Sequence, residues 1–153
     1  MGSLTKAFKT DKQKEQEGTW VDIIENDDGT MARMRILRMS QFNKKFSARY
    51  ATLGKKNRVI RGNKQDLEIK ALREAFVETC LVEWEYIENI NEVPSGTIKE
   101  TYMPFTRENA IKLFEALPDL FDMIVGEATR LENFQSEALE ADAKNSFPSS
   151  NTN

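Results

Sequence analysis

The chain has 153 residues, with 22 Lys+Arg against 25 Asp+Glu, no histidine and one cysteine, Cys80. That length suits one domain of about 100–150 residues with a tail or two. Within one chain, the missing histidine and lone thiol exclude histidine- or cysteine-built zinc sites, Ser-His-Asp and Cys-His triads and internal disulfides.

Residues 1–17 are polar and read as a flexible N-terminal segment without a secretory signal, ahead of a single globular domain over 18–135. Trp20-Val21-Asp22-Ile23-Ile24 has strand composition, and Asn26-Asp27-Asp28-Gly29 is a turn. Met31 to Met39 partly alternates, with Ala32, Met34 and Ile36 on one face and Arg33 and Arg35 on the other. These residues predict a β-hairpin over 19–39, whose apolar face needs a cover. The Asp-rich turn fails as a calcium loop, because Ile24 and Arg35 would hold its first and twelfth positions.

Asn43 is placed to cap a helix over about 43–53, with Gly54 as its stop. A basic linker follows, and a long helix is predicted over 64–88. Its stripe is Ile69, Leu72, Phe76, Cys80, Trp84 and Ile87. Cys80 falls inside that stripe, where a packed, inert thiol is expected. Pro94-Ser95-Gly96 marks a loop. Thr106 caps a helix over about 106–117, and Pro118 opens another over 118–134. Gly126, inside that last helix, is read as a point of close helix contact. Residues 136–153 read as a disordered C-terminal tail. The fold class is therefore α+β and predominantly α-helical, an N-terminal β-hairpin packed on a small bundle of about four helices.

Charge is segregated along the chain. Lys44, Lys45, Arg49, Lys55, Lys56, Arg58, Arg61 and Lys64 run without a carboxylate between them, whereas sixteen carboxylates between Glu74 and Asp142 meet only Lys99, Arg107, Lys112 and Arg130. Such a dipolar chain suits a charged partner or head-to-tail self-association, the alternative being two solvated faces. No glycine loop for phosphate and no catalytic or metal constellation is present, so neither enzymatic activity nor a cofactor is expected. A pI near 5.2 and the lack of a recognition motif argue against nucleic acid. No apolar run approaches the ~20 residues of a membrane span.

Several short motifs occur in a distinctive order. Phe8-Lys9-Thr10-Asp11 precedes Glu15-x-Glu17-Gly18-x-Trp20-Val21, the hairpin and Asn43-Lys44-Lys45-Phe46. Then come Leu81-x-x-Trp84-Glu85, Pro104-Phe105-Thr106-x-Glu108-Asn109-Ala110, Leu117-Pro118-Asp119-Leu120 and Glu132-Asn133-Phe134. Over about residues 7–135 this order resembles the tail assembly chaperones of long-tailed bacteriophages and prophages. The resemblance implies a non-enzymatic protein that coats the tape measure protein, keeps it soluble and recruits tail tube protein. It also implies action in the host cytoplasm, absence from the mature virion and, in many members, a longer frameshifted form. A helix-in-groove mode would suit a helical tape measure, and coating a long partner favours a homo-oligomer. Phe42, Phe46 and Tyr50, flanked by Lys44, Lys45 and Arg49, form the expected partner-binding surface. Packing of those aromatics under the hairpin is the alternative. Two other roles fit the residues, a phage structural or tail-completion protein and a small DNA-binding regulator using Lys44–Lys64.

Overall fold

A computed structural model describes residues 2–136. The fold is α+β, with six α-helices, one 3-10 turn and one three-stranded antiparallel sheet among the described residues. Strands β1 (Thr19–Glu25) and β2 (Met31–Ile36) form the predicted hairpin. Its turn is closed by Asp28, whose carboxylate accepts from the Thr30 amide (2.9 Å), the Thr30 hydroxyl (2.6 Å) and the Tyr102 hydroxyl. Those hydrogen bonds hold the Asp28 carboxyl below its ordinary pKa, Thr30 contributing most. The acidic turn thus closes on its own neighbours.

The expected helix over 64–88 is two elements. Helix α4 ends at Thr79, and Leu81–Glu85 forms β3 on the outer side of β2. Trp84 and Ile87 fit the helical stripe by coincidence of spacing, because Leu81-Val82-Glu83-Trp84-Glu85 is also a bulged strand. The unsatisfied edge of β2 decides between the two readings. Arg33 and Arg35 project from β2 to ion-pair with Glu85 (2.7 Å) and Glu83 (2.9 Å). On the same outer face the Arg33 guanidinium lies 4.2 Å from the Trp20 ring centroid, in cation–π contact. On the inner face Val21, Met34 and Trp84 lie in register across the three strands. Cys80 sits at the switch, and its carbonyl accepts from the Leu37 amide at 2.7 Å.

That inner face packs on helices α4 (Lys64–Thr79), α5 (Arg107–Ala116) and α6 (Pro118–Thr129). Phe76, Phe114 and Phe121 meet there with centroids 5.0–6.2 Å apart, edge-on or tilted, while Ala110 and Ala128 are fully buried. Trp84 donates its indole N–H to the Met103 carbonyl at 2.8 Å and meets the Phe105 ring edge-on, anchoring the long loop after β3. As predicted, Thr106 caps α5, Pro118 opens α6 and Asn43 caps α3 (Lys44–Asn57). Gly54 does not stop α3, which runs three residues further. Instead of one helix to 134, α6 ends at Thr129 and a 3-10 turn covers Leu131–Phe134.

Two further expectations change. Residues 1–17, read as flexible, contain two short capped helices, α1 (Leu4–Phe8) and α2 (Lys12–Glu17). They are tied to the end of the domain. Gln135 donates to the carbonyls of Ala7 (2.8 Å) and Lys9 (3.2 Å), and the Lys14 ammonium donates to the Gln135 carbonyl at 2.7 Å. Gly126, expected at a close helix contact, faces open space, as does Gly54. Each costs about 1 kcal/mol relative to alanine, with no contact among the described residues that requires it. From residue 137, the tail expected over 136–153 lies outside the described residues.

Gly18 is a different case. Its φ is +91° and an added Cβ would lie 2.6 Å from the Ile36 carbonyl oxygen. Gly18→Ala should therefore destabilise the fold by about 1–3 kcal/mol, and Phe76→Ala by about 3–5 kcal/mol. Urea unfolding followed by tryptophan fluorescence measures both.

Candidate functional site

The candidate surface is built on a helical arm. Helix α3 packs chiefly on α4, and the two run as an antiparallel pair out from the core. Its root is fixed by Asn43, which accepts from the Phe46 amide (3.1 Å) and donates to the Arg38 carbonyl (3.0 Å). Leu53 packs with Ala71 and Ala75 in a small second core, and the Asn57 side chain donates to the Leu67 carbonyl at 3.0 Å. Beyond Leu53 on α3 and before Ala71 on α4, every residue is at least partly exposed.

The six sequence-predicted residues separate into two groups. Phe46 turns inward, packs against both core clusters and stacks on Tyr50 with centroids 5.8 Å apart. Arg49 is held by Glu78, donating through Nη2 at 3.2 Å and also through Nε. The same carboxylate takes the guanidinium of Arg107 from α5, so Glu78 ties three helices together. Its hydrogen bonding raises the Arg49 pKa above its already high ordinary value. These two residues hold the arm to the domain. Phe42 (78% exposed), Tyr50 (38% exposed), Lys44 and Lys45 face outward, and neither lysine has an ion-pair partner among the described residues. A cleft of about 360 Å³ beside Phe42 and the two lysines is walled by them together with Arg38 and its ion-pair partner Glu15.

In sequence the arm's turn reads only as a basic linker. In the structure Val59 is 84% exposed and Ile60 also lies open, set between Arg58 and Arg61. Of nine arginines, seven (Arg33, Arg35, Arg38, Arg49, Arg73, Arg107 and Arg130) are ion-paired. Arg58 and Arg61 have no such pair among the described residues. The sequence signal was present as two aliphatic residues inside a basic run, outside any amphipathic stripe. A groove of about 450 Å³ opens between α3 and α4 close to this turn.

With this geometry in place, comparison with known proteins adds one result. A family model described as YdaY prophage protein matches residues 37–145. The chain belongs to the YdaY prophage protein family. No curated protein and no solved structure matches it. The span matched by the YdaY model begins just after β2 and takes in the whole arm, β3, α5 and α6.

Chemistry at the remaining reactive positions is muted. No group of three or more Cys, Asp or Glu side chains among the described residues is arranged to hold a metal ion. No helix there is long and apolar enough to cross a membrane. Cys80 is fully buried, and burial pushes its thiol from 9.0 up to about 11. The folded YdaY-family chain therefore keeps the proton where the unfolded chain releases it. Between those values the unfolded state binds fewer protons, so this thiol makes stability fall as pH rises from about 9 to about 11. Native protein at pH 8 should resist thiol-reactive dyes, with full labelling only after denaturation. Cys80→Ser should flatten the alkaline part of the stability curve, measured by urea titration at several pH values.

Proposed function

We propose that this YdaY-family chain is a non-catalytic tail assembly chaperone. It binds the tape measure protein, keeps it soluble and brings tail tube protein to it. The observation that carries the reading is the helical arm, a cationic surface with exposed aromatic and aliphatic side chains and no cover among the described residues. Its support elsewhere is the prophage family and the order of motifs shared with the tail chaperones. Phe42 and Tyr50 supply apolar contact, Lys44 and Lys45 supply steering charge, and Phe46 and Arg49 hold the helix at a fixed angle to the domain.

An extended helical partner with apolar residues on one side satisfies such a surface by laying that side along α3. Charge accelerates the encounter, and desolvation of the aromatic rings supplies most of the affinity. Arg58 and Arg61, exposed and without an ion pair among the described residues, also favour a second reading, a DNA-binding regulator. Salt-dependent retention on duplex DNA distinguishes it.

Co-expression with a tape measure fragment followed by affinity capture tests the proposal. Phe42→Ala with Tyr50→Ala should lower capture about tenfold, and Lys44→Glu with Lys45→Glu should do likewise, chiefly at low salt. The lysine pair should not shift the melting temperature appreciably, because both side chains face solvent, whereas the aromatic pair should lower it modestly through loss of the Tyr50–Phe46 stack. Arg49→Glu should destabilise the chain instead, by setting a second carboxylate against Glu78. Mass spectrometry of purified virions should find no stoichiometric copy, and finding one would favour a structural or tail-completion protein.

A further inference from the structure

Two surfaces of this chain are complementary to each other and lie on different elements. One is the groove of the arm, with Gly54, Leu67 and Ala71 on its floor and Lys55, Arg58 and Lys64 at its rim. Glu68 is the one carboxylate on its wall. The other is the outer face of α6, where Asp119, Asp122, Met123 and Gly126 recur at helical spacing and are all exposed. From Glu115 through Thr129 the chain holds four carboxylates and no Lys or Arg, and the neighbouring Leu117 is exposed as well.

We propose that the arm of one copy docks on the outer face of α6 of a second copy. The acidic α6 stripe lies across the basic groove, Met123 enters it, and Asp119 and Asp122 meet Arg58, Lys55 and Lys64. The two helical glycines are the second line of support. Gly54 lines the arm's groove and Gly126 continues the α6 stripe, and apart from the adjoining backbone of its own helix neither has a described atom within 4 Å of an added Cβ. A glycine in mid-helix weakens the helix, and these two gain nothing from the fold around them. Both stand where two helices of different copies would approach backbone to backbone.

The contact is heterologous, joining unlike patches, so it closes into a reciprocal pair or ring or extends as an array. It deepens the chaperone reading, since a coating protein is served by self-association. The two remain separable: tape measure capture by a strictly monomeric chain would leave the chaperone reading standing and remove this one.

Sedimentation velocity of the purified full chain, from about 1 μM to about 1 mM, tests the proposal. Association that grows with concentration and weakens at high salt is expected, and a chain monomeric throughout would overturn the proposal. Lys55→Glu with Arg58→Glu should weaken association about tenfold or more, as should Asp119→Lys with Asp122→Lys. An equimolar mixture of the two double variants should associate again, because each then offers the other an opposite charge. Failure of the mixture to recover would overturn the pairing. Gly126→Ala should raise the melting temperature by a few degrees while weakening association about tenfold. Unchanged association in that variant would also overturn the docking. An arm occupied by another partner class would leave the purified protein monomeric and both reversals without effect on it.

Discussion

Burial of the inner face of the sheet under Phe76, Phe114 and Phe121 is the contact on which the rest of the molecule rests. A two-stranded ribbon is marginal alone, and β1–β2 gains its third strand only because the chain stops being helical at Thr79. Extending α4 beyond Cys80 would carry Trp84 away from Met34, its cross-strand partner, and leave Arg33 and Arg35 without their carboxylates. The helix-to-strand switch therefore satisfies an apolar face and a polar face at once. Full burial of each large side chain contributes about 1.5–3 kcal/mol, so both layers of the core favour that switch over a longer helix.

What the residues revealed in advance follows how local each signal is. The hairpin was legible because its turn chemistry and its alternation lie within twenty residues of one another. So were Asn43, Thr106 and Pro118, whose capping and helix-opening roles depend on the next few positions. The switch at Cys80 was not, because Phe76, Cys80, Trp84 and Ile87 satisfy the helical period whichever structure forms. Only the distant partners in β2 decide between the two. The same holds for the short helices α1 and α2, whose residues give no local sign of the hydrogen bonds to Gln135, more than a hundred residues away. In the candidate surface, the basic run falls on α3, the turn after it and the start of α4. It did not distinguish Arg49, consumed by Glu78, from Lys44 and Lys45, because that distinction is made by α4.

Charge use separates the working parts of the molecule. Around the sheet and between the helices, arginines are held by carboxylates from other elements, and Glu78 holds two of them. Half-exposed pairs of this kind contribute little each to stability, yet they fix how α3 and α5 sit on α4. A guanidinium is suited to that task because its planar fork specifies direction as well as distance. Placing Arg58 and Arg61 where no carboxylate among the described residues answers them departs from the pattern followed by every other arginine.

The outer half of the arm can be judged by the same standard. Ordering each residue costs about 1–2 kcal/mol of backbone entropy, and between Gly54 and Lys70 no side chain is buried to offset it. Caps at Asn63 and the Asn57 bond to α4 keep the pair of helices together without giving it a core. A shorter hairpin ending near Leu53 and Ala71 would hold the domain as well, with fewer like charges crowded at one end. Stability of the isolated chain therefore does not account for the length, the charge or the exposed aliphatic residues of this arm. The proposed docking of another polypeptide would account for all three, because burial on contact would supply the apolar contribution that folding leaves unrealised.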